Sequence, residues 1–289
     1  MVVNSAFEAL KGRFSNDELA YLCEVLDGSE SELTADLITA AAHEVLAYMP
    51  FEPAKEVAQR RGMILVRADS RLRAGMGRPM GQGTSLRRRG RGLDAVNVHA
   101  KAYPYSDFFA VEDLKLSHTR FDGGTSATMD RAAFVSADAV TVLPYDPVRQ
   151  RVMLIEQFRV APFVRGDTQP WLLEPIAGRV DAGETEVTTA RREAMEEAGI
   201  ALRDLHLVSG YYPSPGALTE YVTSYVGIAD LPDGVVGIGG LASEQEDIAS
   251  LILSFDELMV LADQGALDTG PLMVSALWLA RHKDRLDQI

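Results

Sequence analysis

Three glutamates stand close together in the stretch GRVDAGETEVTTARREAMEEAGI, which spans residues 178–200. On a helix of about 100° per residue, Glu193, Glu196 and Glu197 fall within one arc of about 100°. Like charges at this spacing repel one another and destabilise an isolated helix. A hard divalent cation with oxygen ligands would offset that repulsion. The spacing therefore predicts a metal site on one face of a helix, whereas a solvated surface helix is the simpler interpretation of the glutamates alone.

The residues around the glutamates suit supporting roles. Arg192 can hold a neighbouring carboxylate through two parallel hydrogen bonds and so set its orientation. We expect Glu184 in the first turn of the helix, where the helix dipole favours an anion. Gly178 and Gly183 bracket a tight turn between strand and helix that is expected to require positive φ, and Gly199 is expected to cap the helix end. A solvated surface helix does not explain this combination.

The segments before this motif read as helices. Residues 1–75 have helical periodicity and are treated as a helical N-terminal extension. Ser15 precedes the first periodic segment, and either Ser31 or Thr34 is expected to open the second. A third helix is predicted from Pro53 to about Ala74.

A Gly- and Arg-rich stretch follows, GMGRPMGQGTSLRRRGRG at residues 75–92. Its composition predicts a mobile linker, which we place at residues 76–100. The arginine run 87–89 has the charge to contact phosphates or an acidic surface, but such runs are more often solvated.

From residue 101 onward the pattern changes to strands and turns with few helices. This favours an α+β sandwich over a doubly wound parallel sheet. Asp146-Pro147 is a turn signal and predicts a hairpin between the strands on either side. The predicted strands are 108–116, 129–135, 139–143, 152–158 and 221–228, and the predicted helices are 184–197, 255–264 and 271–286.

The composition excludes several classes of protein. The 289 residues are 47% hydrophobic and 24% charged, as expected for a globular protein. A net charge of −14 argues against general affinity for nucleic acid or anionic membranes. The single cysteine, Cys23, cannot form an intramolecular disulfide. Because no signal peptide or membrane-spanning stretch is visible, a cytoplasmic protein is expected.

Residues 178–200 resemble the Nudix box. In that motif a Gly is followed after five residues by a Glu and, after seven more, by Arg-Glu, an apolar residue, any residue, Glu-Glu, any residue, Gly and an apolar residue. The segment fits every position, with Ala194 smaller than the usual aliphatic residue. A wider resemblance, over residues 101–289, is to bacterial ADP-ribose pyrophosphatases of the type associated with tellurite resistance. It is carried by LPYDPVRQRVMLIEQFR (143–159), WLLEPIAGRVDAGE (171–184), YPSPGALTE (212–220) and GLASEQEDI (240–248).

This resemblance implies a fold, a reaction and a cofactor. The fold is a Nudix α/β/α sandwich with a mixed sheet, formed by residues 101–289. The reaction is hydrolysis of the pyrophosphate bond of ADP-ribose to AMP and ribose 5-phosphate, with Mg²⁺, or Mn²⁺ in its place. Glu193, Glu197 and the backbone carbonyl of Ala177 are the implied metal ligands, and Glu196 is a further ligand or a supporting catalytic residue.

The resemblance also implies a general base and substrate contacts. The base lies in an acidic loop, where Glu246 is the first choice and Glu244 the second. Arg159 is expected to contact the diphosphate and Glu220 the terminal ribose, with Gly178 also beside the substrate.

The resembling branch is typically dimeric, so a homodimer is expected here. Residues 108–135 would then supply strands that pack on the second copy. Arg131 and Phe108 would reach the adenine side of the substrate bound by the other subunit.

Alternative functions remain open at this point. The box recognises a diphosphate and does not separate ADP-ribose from GDP-mannose, NADH or another nucleoside diphosphate derivative. A protein that binds ADP-ribose without cleaving it is a second alternative, although such a sensor would be expected to lose box carboxylates that this chain keeps. A third is an interaction module in which residues 1–100 carry the function.

Overall fold

The computed structural model of the chain describes residues 5–28, 32–76, 92–241 and 245–288. The chain forms two compact units, one from residues 1–137 with 214–219, the other from 138–213 with 220–289. The proposed boundary at residue 101 does not coincide with this division. Most of the proposed linker, residues 77–91, lies outside the described residues, so its character stays a prediction.

The described helices of the first unit are α1 (Ser5–Glu8), α2 (Asn16–Leu26), α3 (Ala35–Tyr48), α4 (Ala54–Val57) and α5 (Arg61–Met76). Ser15 caps α2 through a capping box, and Thr34 caps α3. The prediction of one helix from Pro53 to Ala74 is wrong in detail, because a 3₁₀ turn at Ala58–Arg60 separates α4 from α5. The backbone keeps right-handed helical angles on both sides of that turn, so only the hydrogen-bond pattern tightens.

An antiparallel sheet completes the first unit, in the order β1 (Val96–Ser106), β2 (Ala110–His118), β3 (Met129–Val135). The start of β1, at Val96, falls inside the predicted linker 76–100, so residues 96–100 are strand and not linker. Most β1 side chains are exposed and several are polar, so the sequence has no apolar alternation here that would predict a strand. The predicted strand 108–116 begins at Ala110 instead, because the Asp107 N–H donates to the Phe109 carbonyl in a tight turn.

The second unit contains a mixed sheet with helices. Its strands run in the order β10-β11-β5-β4-β9-β8, with β6 on β5 and β7 on β4, and only the β4–β9 pair among these described strands is parallel. The elements in chain order are β4 (Ala139–Asp146), β5 (Arg151–Phe158), α6 (Val160–Arg165), β6 (Trp171–Glu174), β7 (Ile176–Arg179), α7 (Glu186–Ala198), β8 (Leu202–Tyr211), β9 (Val222–Ala229), β10 (Ile238–Gly239), β11 (Ile248–Ser254), α8 (Phe255–Asp263) and α9 (Gly270–Leu286).

Successive residues of β4 are buried on opposite faces of this sheet. Val142 packs in a core cluster with Ala190 and Ala194 of α7. Leu143 packs in a second cluster with Leu279 of α9. Since helices cover both faces, the predicted α+β sandwich with a mixed sheet and preceding helices is confirmed. In the described part of the chain, no helix is long and apolar enough to cross a membrane.

A buried ion pair joins the helices of the first unit to its sheet. The side chains of Glu44 in α3 and Arg67 in α5 are both fully buried. Arg67 Nη2 lies 2.6 Å from Glu44 Oε1, and Nε lies 3.2 Å from Oε2. The Ser106 hydroxyl donates to Glu44 Oε1, and Arg67 Nη1 donates to the carbonyls of Asp107 and Phe108. The pair therefore fixes the turn between β1 and β2.

Arg67→Met is expected to lower the free energy of unfolding by about 3–5 kcal/mol, because it leaves the Glu44 carboxylate buried without its cation. Urea unfolding followed by circular dichroism would measure this loss, and hydrogen exchange would localise it to α3 and α5. Arg120→Met is the matched control, since the Arg120–Asp122 pair is exposed and should contribute less than about 1 kcal/mol. Equal stability of Arg67→Met and Arg120→Met would contradict the importance of the pair.

Candidate acidic site on helix α7

The acidic site is built on a strand, a turn and a helix. Gly183 turns the chain with φ of +88°, and Gly199 ends α7 in a left-handed conformation, as predicted. Glu184 does not lie in the first turn, because Thr185 takes the N-cap position and accepts a hydrogen bond from the Thr188 N–H. Gly178 was predicted to need positive φ, which is wrong: it lies within β7 and is not among the residues with positive φ.

Gly178 is required for a different reason. A Cβ at Gly178 would lie 2.5 Å from Cγ of Glu193 and closer still to its carboxylate. Real Cβ atoms essentially never approach other atoms below 3.0 Å. The missing side chain therefore makes the space in which the Glu193 carboxylate lies against β7.

Arg192 holds the carboxylates on one side of the site. Its Nε and Nη2 donate to the two oxygens of Glu184, at 3.1 and 3.0 Å. Nη1 donates to Glu193 at 2.8 Å and to Glu196 at 3.0 Å. The hydrogen bond with Glu184 is the main reason that the pKa of Arg192 rises above its ordinary value. One guanidinium thus orients three carboxylates.

Glu184 is fixed from two directions. The Thr189 hydroxyl of α7 donates to Oε2 of Glu184 at 2.8 Å, the oxygen that also accepts from Nη2 of Arg192. Burial alone would raise the pKa of Glu184, but the hydrogen bonds from Arg192 and Thr189 outweigh burial and hold the pKa below its ordinary value. Glu184 is therefore an ionised anchor for Arg192.

Glu197 has a different environment. Glu197 is 2% exposed, and the Ala177 N–H donates to Oε2 of Glu197 at 3.1 Å. Burial raises the pKa of Glu197 to about 8, and the charges of Glu193 and Glu246 add to the rise. Burial likewise raises the pKa of Glu193 to about 7, with contributions from Glu196 and Glu246. These carboxylates destabilise one another when they are ionised.

Arg159 contributes a positive charge near these carboxylates. Its Nη2 and Nε lie 2.7 and 2.8 Å from Oε2 of Glu174, which also accepts from Gln157. The charge of Arg159 opposes the rise in the pKa of Glu197. It also opposes the rise in the pKa of Glu220, which burial causes. The guanidinium therefore acts on both residues electrostatically.

The donor chemistry fits a hard cation. Carboxylates that raise one another's pKa and lie beside strand backbone are the oxygen ligands that Mg²⁺ prefers. Among the described residues, no group of three or more His, Cys, Asp or Glu side chains is arranged to hold a metal ion. Glu193 and Glu196 both face Arg192 instead. Cation binding would therefore require Arg192 to share these carboxylates.

The structure gathers most of the predicted site residues in the second unit. The exceptions are Arg131, exposed on β3, and Phe108, half-exposed in the β1–β2 turn, which both belong to the first unit. Glu244 lies outside the described residues. The sequence analysis did not single out Glu174 and Thr189. Thr189 precedes Arg192 by three residues and Glu193 by four, so helical spacing was a usable signal for it.

Comparison with known proteins bears on this geometry. A family model described as the NUDIX domain matches residues 135–273. The ADP-ribose pyrophosphatase of Escherichia coli (strain K12) is 35% identical over 195 residues, which cover 68% of this chain and 92% of that protein. The ADP-ribose pyrophosphatase of Haemophilus influenzae is 33% identical, over 64% of this chain and 85% of that protein. The GDP-mannose pyrophosphatase of Enterobacter sp. (strain 638) is 31% identical, over 60% and 88%.

The raised pKa of Glu197 predicts how stability depends on pH. The folded-state pKa of about 8 exceeds the ordinary value of 4.5, so the folded protein binds this proton more tightly than the unfolded chain does. The stability that the proton provides is complete below about pH 4.5 and is lost as the pH rises toward 8. Glu197→Gln should therefore stabilise the metal-free protein at pH 8 by on the order of 3 kcal/mol, with the difference vanishing below pH 4.5.

Urea unfolding in a chelator at several pH values measures this effect. Trp171 and Trp278 report on the second unit, because both lie in it. Glu186→Gln, in the first turn of the same helix, is the matched control. If Glu197→Gln and the wild type have the same pH profile, the buried carboxylate is not destabilising.

Proposed function

This chain belongs to the Nudix hydrolase family, and we propose that it hydrolyses the pyrophosphate bond of ADP-ribose to AMP and ribose 5-phosphate with Mg²⁺ as cofactor. The observation that supports this most is the pair of mutually repelling carboxylates of Glu193 and Glu197 beside the backbone of β7, with the charge of Glu246 acting on both. Such a set is suited to dications that face a diphosphate. The ADP-ribose pyrophosphatases among the relatives favour the substrate.

Glu193, Glu197 and the carbonyl of Ala177 are proposed to hold the cation, with Mn²⁺ as a substitute. Glu196 is a further ligand or supports the others. When bound, the cation neutralises charge on the diphosphate and increases the acidity of a nearby water. Arg192 keeps the carboxylates oriented before the cation arrives, through the hydrogen bonds described above.

Glu246 is proposed as the general base, with Glu244 as the alternative. A water oxygen forms a bond to one phosphorus while the bond from that phosphorus to the bridging oxygen breaks. The proton of the water passes to the carboxylate, and the bridging oxygen leaves with the other phosphate. Glu246 suits this role because its charge already acts on both Glu193 and Glu197.

Arg159 and Glu220 are proposed to contact the substrate. Arg159 would bind the diphosphate, since Glu174 holds its guanidinium within electrostatic range of Glu197. Glu220 would accept a hydrogen bond from the terminal ribose. Gly178 is proposed to lie beside the substrate, next to the Glu193 carboxylate for which it leaves space.

A homodimer is proposed as the functional state. Phe108, exposed beside Phe109 in the β1–β2 turn, and Arg131 of β3 would then contact the adenine side of the substrate held by the other subunit. An aromatic ring and a guanidinium are suited to a nucleobase, because both stack on π faces.

GDP-mannose is the second candidate substrate, because a GDP-mannose pyrophosphatase is 31% identical over 88% of its length. A sensor that binds ADP-ribose without cleaving it is disfavoured by the presence of all four box carboxylates, Glu184, Glu193, Glu196 and Glu197.

A panel of nucleoside diphosphate derivatives with Mg²⁺ tests the proposed function. ADP-ribose should release AMP fastest, ahead of GDP-mannose and NADH. Glu193→Gln and Glu197→Gln should each lower kcat/KM by at least about 100-fold, since each removes a cation ligand. The control, Glu186→Gln, should stay within about twofold. A near-normal rate in either ligand variant would contradict the metal assignment, and faster turnover of GDP-mannose would replace the substrate.

Gly178→Ala tests the space under Glu193. The added methyl should displace that carboxylate, lower Mg²⁺ affinity and reduce activity at least about tenfold while leaving the fold intact. Isothermal titration with Mg²⁺ and steady-state kinetics measure the two effects. Gly270→Ala is the control, since in the described part of the chain a Cβ there would meet no atom within 4 Å. Unchanged Mg²⁺ affinity in Gly178→Ala would show that Glu193 is not a ligand.

A further inference from the structure

Two glycines outside the Nudix box, Gly239 and Gly240, stand at the end of β10, at the start of the loop that carries Glu246. Gly239 ends β10 and pairs with Ile248 of β11. A Cβ at Gly239 would lie 2.7 Å from the carbonyl carbon of Glu197 and closer still to its oxygen. Both atoms belong to the backbone of α7, so neither can rotate away as a flexible side chain would. The loop therefore touches the helix at the residue whose side chain enters the acidic site.

Gly240 adds a hydrogen bond to the same helix end. Its N–H donates to the carbonyl of Glu196 at 3.3 Å. Carbonyls in the last turn of a helix lack partners within the helix, so this bond satisfies one of them. Gly240 has φ of +95°, which L side chains rarely adopt, and a Cβ there would lie 2.7 Å from the Cβ of Glu246. Both space and backbone conformation therefore favour glycine here.

Glu246 is hydrogen-bonded to Leu241, the residue that follows these two glycines. The Leu241 N–H donates to Oε2 of Glu246 at 3.1 Å, and the Glu246 N–H donates to the Leu241 carbonyl at 3.2 Å. The carboxylate is thus fixed to the backbone of Leu241, which follows Gly240 directly. A continuous series of contacts runs from the end of α7 to the Glu246 carboxylate.

We propose that Gly239 and Gly240 are positioning residues that hold Glu246 in place relative to Glu193 and Glu197, by docking the loop on the last turn of α7. The inference rests on the proposed function, in which Glu246 accepts the proton of the attacking water. The Cβ of an alanine at position 239 would have to move away from the carbonyl carbon of Glu197, from 2.7 Å to the 3.4 Å or more of an ordinary contact. Its displacement from the carbonyl oxygen, which is closer, would have to be larger. The loop would then shift by on the order of 1 Å, a misplacement that can cost about 100-fold in rate.

Gly239→Ala should lower kcat about 100-fold with KM changed by less than about twofold, because Arg159 and Glu220 stay in place. Gly237→Ala is the matched control, two residues earlier. A Cβ at Gly237 would meet no atom of the described residues within 4 Å, and the φ of Gly237 is outside the left-handed region. A normal kcat in Gly239→Ala, or an equal loss in Gly237→Ala, overturns the proposal.

A double-mutant cycle tests whether Gly239 acts through Glu246. In the background of Glu246→Gln, the change Gly239→Ala should lower kcat by less than about threefold further, since the group that it positions is already neutral. A merely structural role would give two independent losses that multiply. Multiplying losses therefore overturn the proposal.

Hydrogen exchange of the metal-free protein gives a readout independent of activity. Amides of residues 237–241 should exchange faster in Gly239→Ala than in Gly237→Ala, and unchanged exchange overturns the docking. If Gly239→Ala does not fold, Gly240→Ala replaces it, because the strain at φ +95° should free the same loop. A wild type that hydrolyses no compound of the panel refutes the proposed function, while the exchange result still decides the docking.

Discussion

The second unit has to accommodate the carboxylate of Glu197, which is buried within electrostatic range of Glu193. Removing a charged group from water is costly unless hydrogen bonds or opposite charges compensate. Within the described residues, the Ala177 N–H donates to Glu197 and the charge of Arg159 acts on it. Helix α7 lies close to the sheet at small buried residues, Ala190 and Ala194. That close approach is what brings Glu197 against β7.

Arg192 and Ala177 supply hydrogen bonds that the acidic residues accept. Glu184, Glu193 and Glu196 all accept from the guanidinium of Arg192, whose hydrogen bonds help to hold the pKa of Glu184 below its ordinary value. Glu197 faces β7, and the charge of Arg159 offsets only part of the cost of its burial, so the ionised form of Glu197 is destabilising until a further counter-charge arrives. An arrangement in which function requires a locally unfavourable charge is expected to reduce stability at the pH where the charge is present.

Local sequence patterns predicted the parts of this structure that short-range forces decide. The spacing of the glutamates placed them on one helix face, and Gly199 and Thr34 were recognised because capping is a local interaction. Glu184 was predicted in the first turn of α7 but precedes the helix, because Thr185 is the N-cap and accepts a hydrogen bond from the Thr188 N–H. Strands β4, β5 and β9 were found because they are apolar and buried.

Features that depend on contacts between residues distant in the sequence were not predicted. The requirement for Gly178 arises from Glu193, fifteen residues later, and depends on how α7 packs on β7. Strand β1 was missed because its side chains are largely exposed, so its backbone pairing with β2 leaves no apolar alternation to detect. The pairing of Glu44 with Arg67 likewise joins two helices whose contact the sequence does not specify.

Absent side chains matter to this site as much as those that are present. Gly178 leaves room for the Glu193 carboxylate against β7, and Gly239 leaves room for the backbone carbonyl of Glu197 in α7. Both contacts involve main-chain atoms, whose positions are determined by the sheet and the helix rather than by flexible side chains. A motif defined by its carboxylates and arginine describes the groups that react. The geometry that makes them reactive depends on backbone contacts that only small residues permit.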